Sequence, residues 1–258
     1  MSDPNSGEPK PEAAKLPGLP PIDVLEYGGK KDGERQSSAR RLFMQLTVFD
    51  AVDGASAETM ARDLPAVLRE KSLASVLYAD TVSPTGFGLL SWSEDPAHFV
   101  TRVRPIFATK TLASARVRND FAMFGRTYST GHEPDLEFVL LRRPIVNVTN
   151  ENYPWHVWYP LRRSGAFSRV EPIEQSHMMR EHAAIGLAYG QQELAHDVRL
   201  ACHGIDANDN EFVIGLVGHD LHPLSHLVQA MRKTRQTSEF IEKMGPFFVG
   251  HVLARTPG

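Results

Sequence analysis

The chain writes one order of elements twice: strand, helix, strand, strand, helix, strand. That duplication limits its fold more than any other feature does. In the first copy Leu42, Met44 and Leu46 alternate through a strand at 41–49, the period of an extended chain with one buried face. Met60, Leu64, Val67 and Leu68 follow at helical spacing behind Asp53 or Ser56 as N-cap. Strands at 75–80 and 87–92 flank a Pro84-Thr85-Gly86 turn, Glu94-Asp95-Pro96 opens a second helix carrying Phe99, Val103 and Ile106, and a strand at 121–127 closes the copy. The second copy runs through a strand at 155–159, a helix over about 172–189, a hairpin of 198–202 and 211–217 around Gly204 to Asn210, a helix from 223 to about 244, and a strand at 246–253. These patterns predict an α+β chain of two ferredoxin-like β-α-β-β-α-β repeats, packed sheet against sheet as a dimeric α+β barrel within one chain. The halves are 41–145 and 146–258. Residues 1–40 are rich in Pro, Gly, Ser, Lys and Glu and read as a disordered or extended arm.

Composition removes several classes of function. The 28 basic and 31 acidic residues leave a net charge of −3, so nothing global favours nucleic acid as a partner. Cys202 is the single cysteine, which excludes an intrachain disulfide framework and a cysteine-rich metal site. No stretch approaches the roughly 20 apolar residues of a membrane span, and no apolar segment follows a basic start, so the expected location is cytoplasmic. A GxSxG elbow and a Gly-rich phosphate loop are both missing, which disfavours hydrolase and nucleotide chemistry.

Two side chains carry the chemical interest. His182 follows Met178 and Met179 and precedes Ile185 and Tyr189, near the apolar stripe of its helix. A histidine there is ordinarily a core residue; it is also a normal axial donor to haem iron, and Ala183, Ala184 and Gly186 leave room beside it. Tyr159 reads as a half-buried strand tyrosine or as a redox-active phenol. Arg162 and Arg163 follow it after Pro160 and Leu161, with planar guanidinium groups suited to carboxylates such as porphyrin propionates. His177, His219, His222 and His226 invite a bare metal ion, but no supporting carboxylate pattern accompanies them.

From Arg41 to Arg255, and most densely after Trp155, the chain resembles the chlorite dismutase-like haem protein family, and within it the coproheme decarboxylases of haem biosynthesis. The resemblance rests on Trp158-Tyr159-Pro160 with Arg163, on Met179 to Gly186 around His182, on the hairpin through Phe212, and on Met231-Arg232 ahead of Gly245 to Gly250. It implies a homopentamer binding iron coproporphyrin III (coproheme) in each C-terminal half, with His182 as iron ligand, Tyr159 as the catalytic radical relay, and Leu161, Arg162, Arg163 and Ile185 as porphyrin contacts. Hydrogen peroxide would be co-substrate and haem b the product; a haem-binding or haem-carrying protein without decarboxylation is the alternative. Chlorite chemistry is less expected, because counting forward from His182 to the family's distal arginine reaches Ala195, and Arg199 fits only with a shifted register. The same counting puts Arg235 or Gln236 where members carry a carboxylate against the proximal imidazole, and leaves the acceptor for the peroxide proton unassigned.

Overall fold

The computed structural model describes residues 21–257. It opens on a hairpin, β1 (Glu26–Lys31) and β2 (Glu34–Ser38), and continues through β3 (Phe43–Asp50), α1 (Gly54–Glu70), β4 (Ser75–Asp80), β5 (Gly86–Ser93), a π-helical turn at Phe99–Val103 running into α2 (Arg104–Ile106), the two-residue β6 (Arg116–Val117) and β7 (Met123–Arg126). A second π-helical turn at Phe138–Arg142 leads into α3 (Arg143–Thr149), which bridges the halves. Then come β8 (Trp155–Arg163), α4 (Pro172–Gln191), β9 (His196–Ala201), β10 (Phe212–Gly218), α5 (Leu221–Met231), α6 (Arg235–Phe240), β11 (Ile241–Met244) and β12 (Phe248–Thr256).

Strand order confirms the duplicated plan. The first half pairs β7-β3-β5-β4, the second β12-β8-β10-β9, each the 4-1-3-2 order of a ferredoxin-like unit. Pairing of β4 with β12, and of Arg126 in β7 with Ala201 in β9, joins the two sheets into a closed barrel. Alternation along the strands sends one set of side chains inward, where Met44, Leu46, Val48, Tyr78, Trp158, Val198, Val213 and Phe248 form the common core. The opposite set meets the helices: α1 covers Phe49, Leu77 and Leu89, while α4 and α5 cover Val157, Tyr159 and Leu216.

Trp158 needs the glycine across from it. A Cβ on Gly215 would lie 2.5 Å from the Trp158 ring, so Gly215→Ala is expected to destabilise the barrel by about 1–3 kcal/mol through overpacking, measurable as a lowered unfolding midpoint. The barrel also encloses a polar pair. Tyr78 Oη donates to His156 Nδ1 at 2.8 Å, because His156 Nε2–H is committed to the Tyr153 carbonyl at 3.0 Å. Burial, with the nearby Arg255 adding to it, pushes His156 down to about 3. Above its ordinary value of about 6.5 neither state holds the proton; below it the unfolded chain binds one that the native imidazole refuses. Stability should therefore fall by about 1.4 kcal/mol per pH unit from this residue between pH 6.5 and 3. Urea unfolding at pH 7 and pH 5 tests it: a His156→Gln variant should lose that slope, and an unchanged slope contradicts the assignment.

The structure differs from the expected elements at three places. Within the disordered or extended arm expected over 1–40, residues 26–38 form a hairpin, because Asp32 and Gly33 adopt positive φ in a two-residue turn. Gln36 then pins it, donating to the Glu133 and Pro134 carbonyls and accepting from Leu136 N–H. The part of the expected arm at 1–20 lies outside the described residues. The long helix expected over 223–244 is instead α5, α6 and β11: Thr234 caps α6 through its hydroxyl, and Ile241 to Met244 are drawn off to pair with Leu161 to Arg163. The boundary set at 145/146 falls inside α3.

Candidate functional site

Register, rather than sequence distance, assembles the site. Tyr159, Ile214 and Arg199 stand directly opposite one another on β8, β10 and β9, so their side chains leave the sheet on one face. The neighbouring rows on that face are Val157, Leu216 and Asp197, and Leu161, Phe212 and Ala201. α4 and α5 lie over it, and Tyr159, Leu161, Ile185, Tyr189 and Leu227 share one apolar cluster. Tyr159 is 5% exposed, with its ring stacked on Phe247 at 4.6 Å. Burial, then the charge of Asp197, raises its phenol pKa, so the hydroxyl keeps its proton until something oxidises it.

His182 sits on α4 one turn before Ile185. Its imidazole is held neutral by burial and by the positive charge of Arg199, the form a metal ligand requires. Its Nδ1 is buried without a hydrogen-bond partner. α6 approaches from the side: the Arg235 N–H donates to Glu181, and Gln236, 8% exposed, keeps Oε1 buried and unpartnered as well. Gly186 is open on its inner side, the nearest heavy atom to an added Cβ being Met231 Cε at 3.7 Å, whereas Ala183 and Ala184 face outward. Of the three small residues expected beside His182, only Gly186 faces the site.

The two arginines separate. Arg163 shares the Tyr159 face, gripped by Glu211 at 2.5 Å and sandwiched between Phe167 and Phe212 at 4.6 and 4.8 Å. Arg162 leaves the opposite face, toward Asp209 at 2.8 Å and Glu242 at 3.8 Å. They meet again at the end of β8, lining an open cavity of about 440 Å³ with Phe167, His203 and Asn210. His222 and His226 are neighbours, their ring centroids 6.0 Å apart, but among the described residues no group of three His, Cys, Asp or Glu could hold a metal ion.

A polar group that spacing did not reveal completes the face. Asp197 accepts from Arg199 Nε at 3.0 Å and from Arg143, which reaches across from α3. Tyr128 packs on Phe212 at 5.5 Å, its phenol pKa raised by burial. Counting forward from His182 misses Arg199 because α4 runs on to Gln191 and a turn intervenes before β9; the alternation Asp197-Val198-Arg199 on a strand was the legible signal. Arg199, which counting along the chain admitted only with a shifted register, stands in the Tyr159 row.

These residues fit an iron porphyrin. α4 carries apolar residues on every side yet has one fully buried residue, Met178, so a 20-residue helix is lightly seated on the sheet. Beneath it stand a neutral imidazole with an orphaned nitrogen and apolar walls, with Arg163 and Arg199 on the same sheet face, a donor set suited to a flat dianionic macrocycle with carboxylates.

Fold and site thus define a single-chain dimeric α+β barrel with a helix-covered apolar cluster in its C-terminal half. Residues 142–253 match the chlorite dismutase family model, and the chain resembles chlorite dismutase-like proteins. A protein described as a candidate chlorite dismutase, TA0507, superposes with a TM-score of 0.66 at 14% identity, covering 83% of this chain and 95% of that one. A haem-binding protein from Thermus thermophilus gives 0.63 at 15% identity, covering 83% and 91%. A chlorite dismutase variant from Candidatus Nitrospira defluvii gives 0.62 at 13% identity, covering 83% and 92%. No curated protein matches the chain in sequence. Among the described residues no helix is long and apolar enough to cross a membrane.

Proposed function

We propose that the chain is a coproheme decarboxylase, binding iron coproporphyrin III through His182 and converting two of its propionates to vinyl groups with hydrogen peroxide to give haem b. The observation that carries this reading is the placement of Tyr159, a buried, protonated phenol, on the sheet face covered by the helix of His182. The bound iron porphyrin would supply the oxidising power of peroxide. Tyr159 then acts as relay: it gives up its O–H hydrogen, and the phenoxyl radical takes a hydrogen atom from a propionate CH₂. Loss of one further electron and of carbon dioxide leaves the vinyl group. Each propionate consumes one hydrogen peroxide and one proton and releases carbon dioxide and two waters. Leu161 and Ile185 wall the porphyrin, and Arg163 offers charge to a carboxylate at the rim. By resemblance the working assembly is a cytoplasmic homopentamer, and exposed Ile173 and Leu187 on α4 leave apolar surface for a subunit to cover.

Gln236 favours a second reading, a haem-binding or haem-carrying protein. An amide near the proximal imidazole would raise its basicity less than a carboxylate does. Arg199 favours chlorite as an alternative oxidant, since a guanidinium suits an oxyanion. Coproheme labelled with ¹³C in its propionate carboxyls separates the three. Release of labelled carbon dioxide on peroxide addition supports the decarboxylase; binding without release supports the carrier; dioxygen from chlorite supports the third.

A further inference from the structure

We propose that Asp197 is the proton acceptor for hydrogen peroxide in this site, with Arg143 as its positioning residue and Arg199 as the charge that stabilises the departing oxygen. The inference rests on the function proposed above. Asp197 stands on the Tyr159 face one row from it, and it is clamped from two sides, by Arg199 on its own strand and by Arg143 from α3. Asn147 Nδ2 holds the backbone carbonyl of the same residue at 2.9 Å, so α3 fixes main chain and side chain together. Beside the carboxylate lies a cavity of about 20 Å³ lined by Tyr128, Arg143, Asp197 and Arg199. That is room for about one water-sized molecule with several polar partners. The other titratable groups whose charge this cluster biases are Tyr159 from β8, Tyr128 from the loop after β7 and the His182 imidazole from α4. None of these is a carboxylate; Asp197 is, and it stands beside the Arg199 cation that can face the leaving oxygen.

The proton balance closes. Hydrogen peroxide gives one proton to an Asp197 carboxylate oxygen. A porphyrin iron held by His182 would supply the two electrons that O–O cleavage needs, while Asp197 holds the proton and Arg199 faces the charge that develops on the leaving oxygen. The leaving hydroxide, its charge offset by Arg199, takes the proton back from Asp197 and departs as water.

Hydrogen cyanide must also lose a proton to bind ferric iron, so it probes the base without turnover. The full-length protein, loaded with iron coproporphyrin III, is mixed with cyanide and, separately, with hydrogen peroxide in stopped flow. Asp197→Asn is expected to slow both reactions by about 10²-fold or more while binding the porphyrin with unchanged affinity, and Asp197→Glu to recover much of the loss. Arg143→Gln, which leaves the carboxylate in place but unclamped, should slow both by a smaller factor, and it decides the matter if the asparagine variant does not fold. Wild-type rates in a porphyrin-loaded Asp197→Asn protein, or in Arg143→Gln where that variant decides, would overturn the assignment alone. If the unaltered protein shows no Soret shift with the porphyrin, the proposed function falls and the assignment with it.

Discussion

Tyr159→Phe is expected to bind coproheme as the parent does and to make no haem b. The substitution removes one hydroxyl and keeps the ring that stacks on Phe247 at 4.6 Å, so as a near-isosteric change it should cost less than about 1.5 kcal/mol of stability. What it removes is the O–H bond whose hydrogen the relay gives and takes. An aromatic ring without an ionisable proton cannot pass a hydrogen atom to or from a propionate, and no other phenol shares the cross-strand row of Tyr159, Ile214 and Arg199. Tyr128 lies nearby, packed on Phe212, but it comes from the loop after β7 and its partners are the Asp197 and Arg199 charges. Chromatography of the porphyrin after peroxide addition gives the answer. Haem b formed at the parental rate would remove Tyr159 from the chemistry, whereas unreacted coproheme in a folded, fully loaded variant supports the relay.

His182→Ala should show the second large effect. The imidazole is neutral, half buried and carries an unpartnered Nδ1, and its removal leaves a gap next to Gly186, where the inner side of α4 is already open. Loss of the iron ligand is expected to weaken coproheme binding by more than the 10- to 100-fold that removal of an outer partner of a metal ligand typically costs. The ferric Soret band should shift, and added imidazole should restore it by filling the gap. An unaltered spectrum and affinity in this variant would mean that the iron is held elsewhere.

Local pattern carried most of the fold. Alternation at Leu42, Met44 and Leu46 and helical spacing at Met60, Leu64 and Leu68 each answer to one buried face, and both elements form with the expected sides inward. The N-cap was legible as one of two candidates, Asp53 or Ser56, and the Asp53 carboxylate takes it, accepting from Ser56 N–H at 2.8 Å, a contact three residues long. Residues 241–244 were not legible, because their strand state depends on β8 being free to pair along that edge. The site divides in the same way. Tyr159, His182, Leu161 and Ile185 were recognisable as a group and do converge on one cluster or its covering helix. Arg199 and Asp197 become neighbours of Tyr159 only through two successive antiparallel registers, a relation that counting along the chain cannot supply. Arg162 and Arg163 show the opposite limit. They are adjacent in sequence, and for that reason they point to opposite faces of β8.

The most direct test of the account is the mass of the porphyrin. The protein is loaded anaerobically with iron coproporphyrin III, titrated with hydrogen peroxide, and the extracted porphyrin is followed by chromatography and mass spectrometry. The account predicts two successive losses of a carboxyl group with its hydrogen, ending at haem b after two equivalents of peroxide. Coproheme recovered intact, or bleached without any decarboxylated species, would contradict it.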